Sequence, residues 1–436
     1  MALRKMSRSV SIIGVGATKF GDAADTPDLE DLSFQDLGAW AAYEAMEDAG
    51  VNPRDIGKVS VAATCGPIYI SETIAGNNGM IEMIGMKGKA SSFHSEGCAA
   101  GFLAFNEAVD AVASGRMDIA MALVVEQSRW TNAPDRPSCY RWPNTEYKNL
   151  YGRDFMAADK AFDTAYVRWN GSWIIGMDVP FRQYTRENGI TDDELEQALM
   201  GQVITAREHS VRNPIAYIQK TWEEEAKERG FKTAEEFLLS PYNPKLNDYM
   251  RPSFMAIQND GAVAIIVAAT DIADKYKQQP IEVVNIVQCD MTAGIPKTHS
   301  KLTKLAVKEL YDITGYKPED VELLEIGDAG LGDELVGAED VGYLPKGEGW
   351  KYFRDGRTRF DGDRPMNTCS GSFGAGHAFS APDLLYVWEI AKQMRGHAGE
   401  RQIPNPPKVS MLRGVGAGQS CSVSLYRTLD ESKEGE

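Results

Sequence analysis

"GVNPRDIGKVSVAAT", residues 50–64, and "GYKPEDVELLEIGDA", residues 315–329, are the two stretches that decide how this chain folds. Each opens on glycine, places proline three positions on and aspartate five on, and then runs into an apolar stretch of strand character. Glycine supplies the left-handed residue that ends a helix, and a proline just beyond keeps the helix from resuming. One helix-to-strand boundary is therefore written twice.

Outward from these boundaries the repetition continues. "SVSIIGVG" (9–16) predicts a strand ahead of a helix over 34–49, and "IEVVNIV" (281–287) predicts one ahead of a helix over 300–314. Downstream, a helix running from Cys98 to Ser114 leads into "DIAMALVV" (118–125), and a helix after His377, ending near Arg395, leads into "KVSML" (408–412). Strand, helix, strand, helix, strand thus occurs twice, which predicts an α/β protein with a mixed or parallel sheet covered by helices on both faces. The two units are residues 1–275 and 276–436. Residues 129–253, aromatic and Arg-rich at their start and then charged, are expected to form a loop domain or lid inserted in the first unit.

Bulk properties narrow the function classes. The chain has 436 residues, with 63 Asp plus Glu against 46 Lys plus Arg, a balance that argues against a nucleic-acid footprint. The start, "MALRKMSRSVSIIGVG", lacks the apolar run of a signal peptide, and no segment approaches the roughly 20 apolar residues of a membrane span. A cytoplasmic protein without membrane contact is expected. The 6 cysteines, at 65, 98, 139, 289, 369 and 421, form no CxxC pair, so neither a metal site nor a disulfide framework is expected.

The repeat places Cys98 and His377 at the N-terminus of the second helix of their respective halves, and a pseudo-two-fold relation brings those ends together. Cys98 stands in "HSEGCAAG" (94–101), among small residues that leave room for a substrate and free backbone amides for an oxyanion. A helix N-terminus favours the thiolate, which is the nucleophilic form. His377, in "NTCSGSFGAGHAFSAPD" (367–383), is a candidate base and oxyanion donor. "GVGAGQSCSVSL" (414–425) is a glycine turn entering the last strand, where a backbone can approach a ligand closely.

These motifs, in this order and on this duplication, resemble the thiolase superfamily over nearly the whole chain. "EGCAAG" resembles its nucleophile loop, "NTCSGSFGAGHAFSA" its Asn…Gly-His-Pro stretch, and "GVGAGQS" its terminal glycine turn. "QNDGAVAIIVAA" (258–269) is most similar to the sterol-carrier-protein type. The resemblance implies a five-layered αβαβα fold and a homodimer, with coenzyme A as co-substrate entering beneath the loop domain and no permanently bound cofactor or metal. It implies that Cys98 attacks a 3-oxoacyl-CoA to form an acyl-enzyme, with His377 activating a thiol and Gly416 and Asn367 in the oxyanion and backbone set.

The chain also departs from the family. Gly327 and Ala329 stand where the family carries its water-holding and acid/base residues, and Gly414 replaces its second cysteine. Asp328, Cys369 or a partner's group are the candidates for the missing proton-transfer role. The smaller residues imply a bulky acyl group. The aromatic-rich insertion and "HAF" are similar to thiolases of aromatic degradation, such as those acting on 2-benzoylsuccinyl-CoA, which work with a small zinc-ribbon and OB-fold subunit. Arg413 is then a candidate partner for a substrate carboxylate. Two other readings are a retro-aldolase of CoA thioesters and a non-catalytic CoA- or lipid-binding subunit.

Overall fold

The computed structural model describes residues 5–22, 25–64, 79–127, 173–245, 248–254, 256, 258–290, 299–328, 330–416 and 420–429. The repeated boundary has the same physical form in both places. Helix α1 (Phe34–Ala49) ends on Gly50 at φ 72°, and helix α7 (His299–Thr314) is followed by Gly315 at φ 77°. Pro53 and Pro318 then each open a single 3-10 turn. Inside it Asp55 accepts from the Asn52 N–H at 3.0 Å, and Asp320 from the Lys317 N–H at 2.8 Å. Strands β2 (Lys58–Ala62) and β7 (Leu323–Ile326) follow at once.

The sheet repeats as well. Its first half runs β3 (Ala90–His94), β2, β4 (Ile119–Glu126), β5 (Gly261–Ala269), β1 (Val10–Ala17), and its second half β6 (Ile281–Asp290), β9 (Ser420–Thr428), β8 (Val409–Gly416), β7. β2 and β4 are parallel, as are β7 and β8, while β4–β5–β1 and β8–β9–β6 are antiparallel. Even the irregularities match: β1 slips register between Ile12 and Gly14, and β6 between Val283 and Asn285. A bulge bends the strand that carries it, so both halves curve alike. The halves join where Val10, Ser11 and Ile12 pair with Val283, Glu282 and Ile281. β3 has only a vestige in the second half, the single parallel bridge of Leu324 with Met366.

Period-two alternation sends successive side chains of each strand into different cores. One outer core packs α1 on the first half, through Leu37, Ala41 and Ala45 against Ile13, Leu123 and Ile266. The other packs α7 and α8 (Leu331–Asp340) on the second, through Leu310 and Leu335 against Ile326 and Met411. Between the two halves lie α2 (Ala100–Ala113) and, after the short α9 (Gly349–Arg354) and α10 (Gly371–Gly374), α11 (Ala381–Met394), meeting Val263 and Ile265 on one side and Leu412 and Tyr426 on the other. The result is the expected α/β architecture of five layers. Within α11 only Lys392 escapes burial, as befits a helix with core on every side.

Of the predicted insertion, residues 129–172 lie outside the described residues. The remainder forms α3 (Trp173–Asn188), α4 (Asp192–Ser210), α5 (Trp222–Glu228) and α6 (Ala234–Leu238), which join the core of α7 and α8. Thr191 and Thr221 cap α4 and α5 by reciprocal bonds with Glu194 and Glu224. Among the described residues no helix is long and apolar enough to cross a membrane.

Candidate active site

Cys98 stands two residues ahead of α2, so the helix starts later than its sequence suggests. It occupies a turn in which the Ala99 and Ala100 N–H groups donate to Glu96 and Gly97, at 3.1 and 3.2 Å. Gly97 is left-handed at φ 54°, and its carbonyl accepts from the Thr64 hydroxyl at 2.8 Å. The cysteine is half-buried on a turn fixed from both sides. That turn is pressed onto the second half of the chain. A Cβ built on Gly416 would lie 2.4 Å from the Ala99 Cβ, and one on Gly101 would lie 2.1 Å from the Ser380 carbonyl oxygen. Only glycine fits either position, and the N-terminal ends of α2 and α11 meet there.

His377 lies three residues before Ser380, on a loop held in costly backbone geometry. Asn367, Ser370 and Phe379, at φ 45°, 83° and 37°, are the non-glycine residues of positive φ among the described residues. Such strain persists only where the surroundings over-determine it. Here the Asn259 amide donates to the Ala375 carbonyl at 2.7 Å, and Gln258 bridges to His377. Gly376, at φ 98°, leaves no room for a Cβ, which would stand 2.0 Å from Asn259 Nδ2. Next door, the buried Glu126 at the end of β4 accepts from the Thr64 N–H at 2.7 Å, the Ser380 N–H at 3.3 Å and the Ser380 hydroxyl. It links the strand ends beside Cys98 to the His377 loop. Sequence reading missed both Asn259 and Glu126, although Asn-Asp-Gly before a strand was a visible signal for the first.

Among the described residues two histidines are deeply buried, and they differ in one respect. In His209 both ring nitrogens are used: Nδ1–H donates to the Asn367 carbonyl at 3.0 Å, and Nε2 accepts from the Phe360 N–H at 3.0 Å. In His377 the Nδ1 has no partner among the described residues. Buried polar atoms are seldom left unpaired, so an unspent imidazole nitrogen marks a position kept for another molecule. Burial pushes the His377 pKa down to about 4, which leaves a neutral ring at pH 7.

The remaining sequence candidates are dispersed. Arg413 is neither a surface residue nor turned toward Cys98. Its neighbours Gly414 and Gly416 face α2 and α11, so alternation along β8 turns Arg413 to the opposite face. There it is buried, donating to the Thr303 hydroxyl at 3.1 Å and the Asp333 carbonyl at 3.5 Å. Asn367, expected in the oxyanion set, spends its amide on β7 instead: Oδ1 accepts from the Ile326 N–H at 2.7 Å, and Nδ2 donates to the Ile326 carbonyl at 3.1 Å and to Glu334 at 3.2 Å. It acts as a short piece of edge strand. The Cys369 thiol donates to Glu325 at 3.3 Å, and burial pushes its pKa well up. Ala329 and residues 417–419 of the glycine turn lie outside the described residues. Among the described residues no cluster of three or more His, Cys, Asp or Glu could hold a metal ion.

Asp328 accepts from the Ser372 N–H at 2.9 Å and from the Tyr386 hydroxyl. Burial raises its pKa to about 6, against about 3.9 for an unfolded aspartate. Its contribution to stability is therefore whole below about pH 4 and lost as pH rises through about 6. Asp328→Asn is expected to gain stability relative to wild type between about pH 4 and about pH 7, by at most about 3 kcal/mol. Thermal melts of both proteins across that window measure it; a pH-independent difference would mean that this carboxyl ionises in the fold as it does in water.

A cavity of about 340 Å³ opens in the inserted helices, lined by Arg207, Trp222, Arg229 and Phe237, with Phe373 from the His377 loop. The Arg207 guanidinium lies 4.1 Å over the Trp222 ring, and Glu225, which also lines the cavity, stands 3.8 Å from Arg207 and 3.2 Å from Arg229. Beside it Arg207, Tyr217, Lys220 and Arg229 line a second cavity together with Glu225 and Glu228. The intervening backbone is pinned to the same loop, since the Ile218 N–H donates to the Gly374 carbonyl at 3.0 Å.

Comparison with known proteins agrees with this fold. Residues 10–169 match the family model of the thiolase N-terminal domain, and residues 291–426 that of the thiolase C-terminal domain-like family. An acetyl-CoA acetyltransferase of Methanothermobacter thermautotrophicus is 29% identical over 430 residues, covering 96% of this chain and 99% of that protein. The benzoylsuccinyl-CoA thiolase subunit BbsB of Thauera aromatica is 26% identical over 433 residues, covering 95% and 96%. Among solved structures, the Ltp2-ChsH2(DUF35) aldolase shares the fold with a TM-score of 0.73 at 18% identity, covering 97% of this chain and 98% of that one.

Proposed function

This chain belongs to the thiolase family and is an acyltransferase that uses coenzyme A thioesters, and we propose that it cleaves a bulky, aryl-substituted 3-oxoacyl-CoA through an acyl-Cys98 intermediate. The observation that carries this reading is the contact of the Cys98 turn with Gly416 and Ser380. It supports the reading because Cys98, Gly416 and the His377 loop come together at the junction of two helix N-termini. The Cys98 sulfur attacks the 3-keto carbon, the bond between C2 and C3 breaks, and the acyl group stays on sulfur. His377, neutral and with a free nitrogen, takes the Cys98 proton. Amides of the Cys98 turn and of Gly416 steady the oxyanion. The cavities holding Arg207, Lys220 and Arg229 accept the nucleotide end of CoA, and the chemistry requires no bound cofactor.

A bulky acyl group is supported by Gly327. A Cβ there would stand 3.3 Å from Val415 Cγ2 and 3.4 to 3.6 Å from backbone atoms of Val415 and Arg413, so a larger residue asks only a small shift of the Val415 side chain and no backbone clash imposes the glycine. The Thauera aromatica relative, whose name specifies benzoylsuccinyl-CoA, supports an aromatic substrate. The same name specifies a subunit, which supports a second polypeptide; the family resemblance makes it a small one of the zinc-ribbon and OB-fold type. A homodimer is supported by β3, whose outer edge is unpaired among the described residues and whose Phe93 is 38% exposed. Such an edge is ready to pair with another chain.

The test is a direct competition between acetoacetyl-CoA and 3-oxo-3-phenylpropanoyl-CoA, with and without free CoA, on protein whose assembly state is read by light scattering. The aryl substrate is expected to be consumed faster, to use one CoA per turnover and to leave benzoyl mass on Cys98. Faster use of acetoacetyl-CoA would remove the aryl assignment. Turnover instead of the 3-hydroxy analogue, 3-hydroxy-3-phenylpropanoyl-CoA, to benzaldehyde and acetyl-CoA without consumption of CoA would favour the aldolase reading.

A further inference from the structure

The proton-transfer group that Gly327 and Gly414 leave vacant can be sought from the vacancy itself. A Cβ built on Gly414 would stand 2.8 Å from Asp383 Oδ1 and 2.9 Å from the Phe102 ring. The space into which a side chain at position 414 would project is thus already taken, and a carboxylate takes it. Resting on the acyltransferase reading above, we infer that Asp383 is the second proton-transfer group of the reaction, supplied by α11 in place of a residue on β8.

Asp383 belongs to the first turn of α11 yet serves α2 as well. Its Cβ lies 3.4 Å from a Cβ built on Gly101, one turn beyond Cys98, and its carboxyl is hydrogen-bonded by the backbone of Phe102 in the first turn of α2. Both helix N-termini present unpaired N–H groups and partial positive charge there. They account for one oxygen. The other, Oδ2, is buried and has no hydrogen-bond partner among the described residues, in a residue only 4% exposed. A buried carboxyl oxygen without a partner is costly, so this atom is the feature that structure alone does not justify. Burial also pushes the carboxyl pKa well up, which keeps the acid form available. Asp328 and Cys369 differ on this point: Asp328 is bonded by Ser372 and Tyr386, and the Cys369 thiol is given to Glu325.

The protons balance. After His377 has taken the Cys98 proton and the sulfur has attacked, the electron pair of the broken C2–C3 bond passes to C2. Asp383 gives its proton to that carbon, and an acyl-CoA departs. The carboxylate then removes the thiol proton of free CoA as its sulfur attacks the Cys98 thioester. Cys98 leaves as thiolate, recovers its proton from His377, and all three groups return to their starting states.

Asp383→Asn, which keeps shape and loses only the transferable proton, tests this with two substrates. One is whichever of the two 3-oxoacyl-CoA compounds above is consumed faster. The other is the acetyl thioester of 5-thio-2-nitrobenzoate, whose thiolate leaves without protonation, so that its transfer to Cys98 bypasses Asp383. The variant is expected to lose about 100-fold or more in carbon–carbon cleavage, while acylation by the activated thioester stays within a few-fold of wild type. A second comparison places a cysteine in the emptied space: Asp383→Gly with Gly414→Cys is expected to cleave about tenfold faster than Asp383→Gly alone. Unchanged cleavage in Asp383→Asn, or an equal fall in both reactions, would overturn the inference and leave Asp383 a packing residue. A wild-type protein that neither reagent acylates at Cys98 would overturn the acyltransferase chemistry beneath it.

Discussion

Cys98→Ala is expected to abolish acyl-enzyme formation and to lower thiolysis by on the order of 10⁴-fold or more, because loss of the proposed covalent nucleophile leaves only binding and oxyanion stabilisation to act on the substrate. The substitution itself is mild for the fold. Cys98 is half-buried, and the turn around it is held by backbone and Thr64 contacts that its side chain does not make. Wild-type-like melting is therefore expected alongside the lost activity. Intact mass after exposure to a 3-oxoacyl-CoA reads the intermediate directly. Activity within tenfold of wild type in this variant would remove the covalent mechanism and bring forward an aldolase, which needs no such sulfur.

His377→Asn carries the second large effect, a loss of about 10² to 10⁴ in the acylation step. The pH dependence separates this role from a structural one. An ordinary imidazole loses its basic form as pH falls through about 6.5, whereas burial holds His377 neutral down to about 4. Folding itself moves the other way: between those values the unfolded chain gains a proton that the folded one does not, so stability is lost as pH falls from about 6.5 toward about 4. Single-turnover acylation is expected to keep its rate below pH 6 in stopped-flow measurements. A wild-type limb near 6.5 that vanishes in His377→Asn would show that the ring is hydrated when substrate binds.

Much of this was legible in the sequence because its signals are local. The Gly-x-x-Pro-x-Asp boundary needs only its own backbone to form, and it reappears in the structure as matching left-handed glycines, 3-10 turns and aspartate caps. From it followed the paired halves and the juxtaposition of the helix ends bearing Cys98 and the His377 loop. Contacts across the halves were not legible. Glu126 looks like the polar end of a strand until Ser380 is brought to it, and Asp383 reads as a helix-start acid until Gly414 is seen to lie beneath it. Asn367 was placed in the oxyanion set by motif, while its amide serves as backbone for β7. Arg413 was a different kind of error: period-two alternation with Gly414 was available, and it already placed the guanidinium on the other face of the sheet.

The glycine contacts at Gly101 and Gly416 also set a limit on how this molecule works. Where a single methyl group will not fit between the two halves, the halves have no slack to take up when a ligand arrives. The entropy of bringing nucleophile and loop together is spent once, during folding, and is not drawn from each substrate's binding energy. Affinity for the acyl chain and for CoA can therefore change through residues away from these two contacts while the reactive geometry stays constant.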